Sequence, residues 1–284
     1  MKSARIKLIV AMLIFGSIGI FVRNIPLSSG QIALARGMIG SIFLLLASRL
    51  VRQKFSREAI RRNFILLITS GAAIGFNWIL LFEAYKYTTV PKATLCYYFA
   101  PVFVMFLSPF VLKERLTPKK ILGISAALIG MFLITEIGGN AGAADLAGIG
   151  YGLLAAVLYA SVVIMNKFLK GLSGLETTIV QISMATVVLF PYLLVTEKLQ
   201  YVQLDYIGWL LICIVGIINT GLAYFLYFSS MKGLSAQTIS VLSYIDPIFA
   251  IILSAVVLGE GMSGMQMIGG FLILGGSYIS ERQG

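Results

Sequence analysis

Three ionisable side chains, Arg36, Glu83 and Asp246, lie inside long apolar segments of the sequence. Insertion scales put the cost of an ionised side chain at the centre of a bilayer at about 2.5–3.5 kcal/mol, so such a group normally faces a partner or a water-filled cavity. Glu83 could bind an ammonium group or carry a coupling proton, or it could form a structural pair with Lys86 or Arg36. Arg36 could hold a small-molecule carboxylate through two parallel hydrogen bonds, or it could pair with carboxylates or carbonyl groups of the protein itself.

Two prolines lie within apolar segments at corresponding places. Asp246 stands directly before Pro247, and Ala100 stands directly before Pro101. Proline removes a backbone donor, so both segments are expected to bend and to expose polar backbone at these points. We therefore interpret Pro101 and Pro247 as hinges. Asp246 is then either an acid beside a cavity or a hydrogen-bonding partner of a neighbouring helix.

Aromatic side chains accompany the charged residues. Tyr98 and Tyr244 each precede a hinge proline by three residues, so we expect them at similar depths, and Trp78 lies close to Glu83 in sequence. The other tyrosines considered are Tyr97, Tyr159, Tyr224 and Tyr227. An aromatic wall suits aromatic or cationic molecules, because each cation–π contact supplies about 0.5–2 kcal/mol; interfacial anchoring or helix packing is the alternative. The amide of Asn77 is a further candidate, with hydrogen bonding between helices as its default role.

The elements that must position these residues are apolar helices. Of the 284 residues, 59% are hydrophobic and only 12% are charged, which excludes disordered and ordinary soluble proteins. A helix of about 20 apolar residues crosses the hydrocarbon of a bilayer. We therefore predict an all-α integral membrane protein with ten transmembrane helices, at 6–23, 29–48, 63–86, 91–112, 119–137, 147–168, 175–196, 205–231, 235–258 and 263–280.

Residue types argue against several other classes of protein. The sequence contains no histidine, which removes the commonest metal ligand and the commonest catalytic base. We therefore predict no enzymatic activity, no metal and no cofactor. The net charge of +11 could suggest nucleic acid, but the basic residues lie in short loops between apolar spans, so no nucleic acid is expected. We interpret the apolar run after the basic N-terminus as the first span and not as a signal peptide.

Lysine and arginine predict the orientation of the chain. If the N-terminus is cytoplasmic, 17 of the 22 basic residues fall on the cytoplasmic side and 4 on the opposite side, while Arg36 lies within a span. Cytoplasmic loops carry such an excess of positive charge. Both termini are therefore predicted to be cytoplasmic.

The sequence contains two copies of one unit. Residues 75–114 align without a gap to residues 221–260, and 15 of the 56 positions between 75 and 130 are identical to their counterparts 146 residues later, where composition alone gives roughly five. Each copy contains five predicted spans, so the second copy must cross the membrane in the opposite sense. We predict two inverted five-helix repeats, residues 1–140 and 141–284, that form one membrane unit. Repeats of this kind underlie alternating access, with a binding site near the midplane.

Several motifs resemble the EamA-like carriers of the drug/metabolite transporter superfamily. They are the early arginine of the second span in IALARGMIGSIFLLL, the A-Y-K-Y-T-T elbow before the proline of the fourth span, a closing glutamate before L-T-P-x-x-x-x-G, and Y-I-D-P-I-F-A-I-I-L-S-A-V-V-L-G-E in the second copy. The resemblance covers nearly the whole chain and implies an inner-membrane carrier that does not hydrolyse ATP. The closing glutamates, Glu114 and Glu260, are interpreted as gate or fold residues, because an acid at a helix C-terminus needs specific partners.

From the repeats and the resemblance we expect a secondary transporter in the cytoplasmic (inner) membrane. It would move small amphipathic metabolites, such as amino acids or related amines, by alternating access. An exporter of cationic drugs or quaternary amines is the alternative on the same scaffold, and a membrane-embedded enzyme or a passive channel is less favoured. The expected partners are a small-molecule substrate and the lipid bilayer. The sequence leaves open the substrate itself, the direction of transport, the coupling ion and the oligomeric state.

Overall fold

A computed structural model of the chain describes residues 2–113, 117–135, 142–197, 204–231, 234, 239 and 242–281. Every regular element in those residues is a helix. The first half contains α1 (Lys2–Gly16), α2 (Ile18–Arg23), α3 (Ser29–Leu50), α4 (Arg57–Arg62), α5 (Phe64–Tyr87), α6 (Val90–Tyr97), α7 (Ala100–Val111) and α8 (Pro118–Thr135). The second half contains α9 (Ala143–Asn166), α10 (Gly174–Thr196), α11 (Tyr206–Cys213), the π-helix π1 (Ile214–Leu222), α12 (Ala223–Met231), α13 (Ile245–Val257) and α14 (Gly264–Glu281).

Seven stretches of helix in the described residues are long and apolar enough to cross a membrane. They are Lys2–Arg23, Ser29–Leu50, Phe64–Tyr87, Val90–Val111, Ala143–Asn166, Gly174–Thr196 and Tyr206–Ser230. Three shorter apolar helices cover Ile121–Ile134, Ile245–Val257 and Gly264–Ile279. The prediction of an all-α, multi-pass membrane protein is confirmed. A helix lies at each of the ten predicted segments, part of 235–258 being outside the described residues, and the count of ten spans stays a prediction.

Polar side chains begin two of the long helices. The Ser28 hydroxyl accepts the N–H of Gln31 at 3.0 Å, and the Gln31 side chain accepts the N–H of Ser28 at 3.2 Å. Ser173 and Glu176 form the same reciprocal cap at the start of α10. Such caps stabilise a helix by about 1 kcal/mol. Because the cap fixes where α3 begins, it also fixes the depth of Arg36, which follows eight residues later, or roughly 12 Å along the helix axis.

The helix of the fourth predicted span is interrupted in its middle. α6 ends at Tyr97 and α7 begins at Ala100, with Pro101 in its first turn. Proline is tolerated there, because a first-turn N–H has no partner within the helix. Pro247 lies in the first turn of α13, which begins at Ile245. The interruption at Pro101 agrees with the expected bend, while the hinge role of both prolines stays a prediction.

Helices of the first half pack against helices of the second half throughout the bundle. α5 packs on α9 and α10, α3 on α10 and π1, and α1 on α12 and α13. α6 contacts α9 and α13, and α8 packs along α14. The main apolar core is formed by α3, α5, α10 and π1, with Ile32, Leu44, Phe82, Ile182 and Leu189 among its buried residues. Charged residues on α3 and α5 that face this core therefore lie deep inside the protein.

Glycines bring α8 and α14 into close antiparallel contact. A Cβ added to Gly269 would lie 2.6 Å from the carbonyl oxygen of Gly130, and a Cβ added to Gly276 would lie 2.6 Å from the carbonyl oxygen of Gly123. Small residues allow the backbones of membrane helices to approach this closely.

Replacing Gly269 by alanine is expected to destabilise the protein by about 1–3 kcal/mol, because the new methyl group would meet backbone that cannot move aside without separating the helices. Gly275 on the same helix is the matched control, since no atom lies within 4 Å of the position its Cβ would take. Gly275→Ala should be neutral or slightly stabilising. Thermal unfolding of both variants in one detergent checks this, and equal midpoints would contradict it.

The sequence did not predict the π-helix. The predicted span 205–231 is helical from residue 206 onward, but its central nine residues, Ile214–Leu222, are π-helical. π-Helical turns are rare and occur frequently at functional sites.

Two glycine pairs show how the π-helix fits into the bundle. Gly216 and Gly221, five residues apart, both face α3, where an added Cβ would lie 2.5–2.6 Å from side-chain atoms. In α5, Gly71 and Gly75 are four residues apart, and both face α10 in the same way. Because a π turn holds one more residue than an α turn, π1 keeps its two glycines on one face despite the wider spacing.

Candidate functional site

Arg36 is buried at the centre of the bundle, with only 4% of its surface exposed. Its guanidinium carbon lies 4.2 Å from the ring centroid of Trp78 and 5.4 Å from that of Phe82. Cation–π contacts of this kind stabilise a desolvated arginine by about 2 kcal/mol each. The Nε group donates a hydrogen bond of 3.0 Å to the hydroxyl of Thr220. Among the described residues no carboxylate lies within ion-pair distance of Arg36, so the pairing with a protein carboxylate considered from sequence is not observed there.

The π-helix positions the partner of Arg36. The Thr220 hydroxyl donates to the carbonyl of Val215, five residues earlier, at 2.8 Å, which leaves its lone pairs to accept from Arg36. Gly40 allows this approach, because a Cβ there would lie 2.5 Å from the methyl group of Thr220. Thr220 is fully buried. A side chain of this size in π1 and a glycine in α3 together set the distance between the two helices.

Three tyrosines lie within electrostatic range of the guanidinium. Tyr85, Tyr97 and Tyr224 all interact electrostatically with Arg36. The same three tyrosines interact electrostatically with Asp246. These three tyrosines are therefore within electrostatic range of both the positive and the negative group, and within the described part of the chain no ion pair joins the two charges.

Asp246 is linked to the first half of the chain through Tyr98. The Tyr98 hydroxyl donates to Oδ2 of Asp246 at 2.5 Å, and the Tyr98 ring lies edge-on to Tyr97 at 5.9 Å. Tyr98 stands in the interruption between α6 and α7, and Asp246 lies in the first turn of α13. The bond therefore joins the irregular points of two helices from opposite halves.

We refer to these residues together as the central cluster. Its members are Arg36, Trp78, Phe82, Tyr85, Tyr97, Tyr98, Tyr224 and Asp246. Four of them were predicted as site residues from the sequence, namely Arg36, Trp78, Tyr98 and Asp246. The cluster combines one cation, one carboxylate and aromatic walls, which is a surface suited to an amphipathic molecule that carries charge.

Glu83 lies apart from the central cluster. Its carboxylate pairs with the ammonium group of Lys86 at 3.2 Å, and its side chain is 27% exposed. It shares a face of α5 with the exposed Ile65 and Thr69, while Trp78 lies on the opposite, buried face. The structure thus gives Glu83 the partner named in the structural alternative, and a role in binding stays a prediction that this geometry does not favour.

Replacing Glu83 by glutamine is expected to leave the uptake rate within about twofold of the wild type, because a partly exposed pair contributes only about 0–1 kcal/mol. Uptake into proteoliposomes and the midpoint of thermal unfolding are the measurements. A tenfold loss of uptake with an unchanged midpoint would return Glu83 to the binding site.

The remaining predicted residues have other surroundings. The Asn77 amide donates to the carbonyl of Ala155 on α9 at 2.6 Å, which is the default bond between helices. Tyr244 packs edge-on against Tyr278 of α14 at 5.9 Å. Its part in a binding site stays a prediction, and so does that of Asn77. Glu114 lies outside the described residues.

One end of the bundle, here named the Glu260 end, is bound together by charged groups. Glu260 pairs with Arg23 of α2 and accepts 2.8 Å hydrogen bonds from the N–H of Val90 and the hydroxyl of Ser254. Arg23 also donates to the carbonyl of Thr88 at 3.3 Å. Glu260 therefore has the specific partners expected of a carboxylate that ends a helix.

A second ionic contact lies beside the first. The Thr88 hydroxyl donates to Asp145 at the start of α9, and the other oxygen of Asp145 pairs with the ammonium group of Lys92 at 2.9 Å. Thr88 therefore connects the two contacts. Together they tie α2 and α6 of the first half to α9 and the end of α13.

The opposite end, here named the Asn166 end, contains a cavity of about 230 Å³. It is lined by Asn166, Leu169, Leu172, Gly174, Thr177, Thr178 and Phe228. The ring of Phe228 stacks on Tyr224 of the central cluster, with 6.3 Å between centroids. Phe228 therefore lines the cavity and also contacts a residue of the central cluster, at the end of the bundle opposite the ionic contacts.

Three residues with a place in or beside the cluster were missed from sequence. Phe82 and Tyr85 follow Trp78 at four and seven residues, a spacing that puts all three on one helix face, so this signal was available. Thr220 gave no signal, because a threonine in an apolar helix is unremarkable without the π-helix. In the described residues no group of three or more Cys, Asp or Glu side chains could hold a metal ion.

Known transporters resemble this chain along most or all of its length. The model of the EamA-like transporter family matches the chain twice, over residues 2–136 and 146–281. The chain is 31% identical over 287 residues to the uncharacterized transporter YxxF of Bacillus subtilis (strain 168), an alignment that covers 100% of this chain and 91% of YxxF. It is 28% identical over 226 residues to a probable amino-acid metabolite efflux pump of Salmonella typhimurium, with 76% of each chain covered.

A solved crystal structure shares the fold, with a TM-score of 0.67 at 19% identity over 98% of this chain and 96% of that one. The named relatives are transporters or efflux pumps, in agreement with the prediction that the protein is not an enzyme. Because the family model covers both halves and YxxF aligns along the whole sequence, this chain belongs to the EamA-like transporter family.

Proposed function

We propose that the protein is a secondary transporter that moves small amphipathic metabolites, such as amino acids or related amines, across the inner membrane by alternating access. The observation that carries the proposal is the bond between Tyr98 and Asp246. It joins the irregular points of two helices from opposite halves, and Tyr97, whose ring packs on Tyr98, lies within electrostatic range of the buried Arg36. Polar groups at interrupted helices are typical of the midplane binding sites of carriers built from repeats.

Pairs of equivalent contacts support the two inverted repeats. Gly130 contacts Gly269, and Gly123 contacts Gly276. Gly276 is the counterpart of Gly130, and Gly123 is the counterpart of Gly269, each 146 residues away, so the two contacts are equivalent. The two contacts follow opposite orders along α8 and α14, so these helices are antiparallel. A twofold axis that lies in the membrane plane relates equivalent helices in this way. We therefore propose ten spans in two five-helix halves, residues 1–140 and 141–284.

The two ends of the bundle support alternating access. The Glu260 end is closed by ionic contacts between the halves, while the Asn166 end contains a cavity with one lining residue, Phe228, in contact with Tyr224 of the central cluster. The distribution of lysine and arginine puts the N-terminus, and with it the Asn166 end, in the cytoplasm. The described conformation is then the one that opens inward, and Glu260 belongs to the gate that closes the outer face.

A small-molecule substrate with both polar and apolar parts fits the central cluster. The efflux pump among the relatives is named for amino-acid metabolites, which supports that class for this chain. Export of cationic drugs or quaternary amines is a second candidate, favoured by the carboxylate of Asp246 among the tyrosines.

Purified protein in liposomes tests the proposal. We expect saturable uptake of at least one compound in a broad panel of radiolabelled amino acids and amines, and faster uptake when the liposomes are preloaded with the unlabelled compound. Stimulation by preloading distinguishes a carrier from a passive channel. Absence of flux for the whole panel, with folded protein in the membrane, would remove the proposed function.

A further inference from the structure

The interactions of Arg36 leave most of its donors without an acceptor. A guanidinium carries five N–H donors, and the one on Nε is bonded to Thr220 at 3.0 Å. Among the described residues the four N–H groups on the two Nη atoms make no hydrogen bond and no ion pair, although 96% of the residue is buried. Buried polar groups are nearly always hydrogen-bonded. The Nη atoms are not among the fully enclosed polar atoms that lack a partner, so their donors face accessible space that a ligand oxygen could occupy.

Aromatic stacking does not supply the missing acceptor. The guanidinium carbon lies over the rings of Trp78 and Phe82, and a cation–π contact is an attraction to the face of the ring, which leaves the N–H donors without a hydrogen-bond acceptor. The Nη donors lie in the plane of the group and point away from its edge. The two rings therefore hold the guanidinium in place and leave its Nη donors for another partner.

The nearby oxygen atoms do not take up that edge either. The hydroxyls of Tyr85, Tyr97 and Tyr224 are within electrostatic range but accept no hydrogen bond from Arg36. Asp246 is committed to the hydroxyl of Tyr98 at 2.5 Å and forms no ion pair with Arg36. The protein thus brings together a fixed cation and several hydroxyl donors, which is the complement of an anion with two oxygen atoms.

We infer that the Arg36 guanidinium binds the carboxylate of the transported compound, so that the site selects amphipathic carboxylates over the matching amines. This rests on the proposed function and names its substrate class. Two parallel hydrogen bonds from arginine match the two oxygens of a carboxylate. The rings of the central cluster contact the apolar body of the compound. Amino acids with apolar side chains and the corresponding carboxylates both carry the group that Arg36 would bind.

Two series of three compounds isolate the contribution of the carboxylate. The first contains phenylalanine, 3-phenylpropanoate and phenethylamine, and the second contains leucine, 4-methylpentanoate and 3-methylbutylamine. Within a series the body is constant, while the ammonium or the carboxylate group is removed. Binding is measured by thermal shift of the purified full chain, and transport is measured in proteoliposomes. We expect the amino acid and the carboxylate to bind at least about tenfold more tightly than the amine.

The variant Arg36→Lys keeps the charge but loses the planar pair of donors. It should weaken binding of the amino acid and the carboxylate about tenfold, while binding of the amine stays unchanged. Arg49→Lys is the matched control, because Arg49 is an exposed arginine on the same helix. If Arg36→Lys does not fold, the inference is still tested by comparing the three compounds of each series on the wild-type protein.

The inference is overturned if the amine binds as tightly as the amino acid, if Arg36→Lys binds the carboxylates like the wild type, or if none of the six compounds binds. Any of these three results would overturn the inference alone, and the proposed function would remain supported if a compound of the broad panel were still transported. Absence of flux for every compound of that panel removes the proposed function and the inference together.

Discussion

Replacing Asp246 by asparagine should lower the rate of transport about tenfold or more without unfolding the protein. Asparagine keeps the shape of the side chain and an oxygen that can accept from the Tyr98 hydroxyl, now 2.5 Å from Oδ2. The variant loses the negative charge, and hydrogen bonds to charged groups contribute about 1.5–3 kcal/mol, or about 10- to 100-fold in rate or affinity. Tyr98→Phe removes the other partner and should reduce transport less, because the carboxylate remains.

Asp205→Asn is the matched control for this change. Asp205 is exposed and caps α11 by accepting the N–H of Gly208 at 2.8 Å, and asparagine caps a helix equally well. Uptake rates and thermal midpoints of the three variants are compared in the same liposomes. Wild-type uptake by Asp246→Asn would show that the acid serves the packing of the helices and not the transported compound.

Neutralising the ion pair at the Glu260 end should open that end of the bundle. Glu260 holds Arg23 of α2 and the N–H of Val90 at the start of α6, so Glu260→Gln removes the charge that joins three helices. The Glu260 side chain is only 12% exposed, whereas that of Arg23 is 35% exposed. Removing one partner of a buried ion pair destabilises the closed structure by about 3–5 kcal/mol. Because Arg23 is partly exposed, we expect a smaller loss here, about 1–3 kcal/mol.

Hydrogen exchange reports this opening directly, because the Val90 amide is bonded to Glu260 in the closed state. We expect peptides covering 88–95 to exchange about 5- to 100-fold faster in Glu260→Gln and in Arg23→Gln, and transport to slow because the closed state is less populated. The double variant should resemble either single variant, since both remove one interaction. Glu58→Gln, an exposed acid on α4, should change nothing. Unchanged exchange near Val90 in Glu260→Gln would exclude a gating role for the pair.

The positions of the helices were predictable from sequence, and their rotations were not. The predicted spans 29–48 and 175–196 end within two residues of α3 and α10, because the total hydrophobicity of a segment decides whether it enters the bilayer. In a helix that is apolar all round, no polar face indicates which side points inward. For this reason Tyr98 and Tyr244 received the same prediction, although Tyr98 bonds to Asp246 while Tyr244 packs on Tyr278.

Charge inside a span was a good guide to position only when no neighbour of opposite charge was available. Arg36 and Asp246 have no such neighbour within one turn, and both lie in the central cluster. Glu83 has Lys86 one turn later, and the pair lies near the end of α5, on its exposed face. The difference follows from the cost of burial, because a pair at a helix end keeps access to water while a single charge in mid-span must find protein.

The glycines of π1 also reveal how the two halves diverged. Gly71 and Gly216 are 145 residues apart, whereas Gly75 and Gly221 are 146 residues apart, so the second copy holds one more residue between the two glycine contacts that both copies share. The extra residue lies within the helix, where the turn is wider, and not in a loop. Ile74 precedes the second glycine of the first copy and Thr220 precedes that of the second copy, and it is Thr220 that bonds to Arg36. The counterpart of Arg36 at the same 145-residue offset is Gln181, and the start of α3 (Ser28) and the start of α10 (Ser173) share that offset. Arg36 is therefore anchored by the stretch in which the spacing of the two copies changes from 145 to 146 residues.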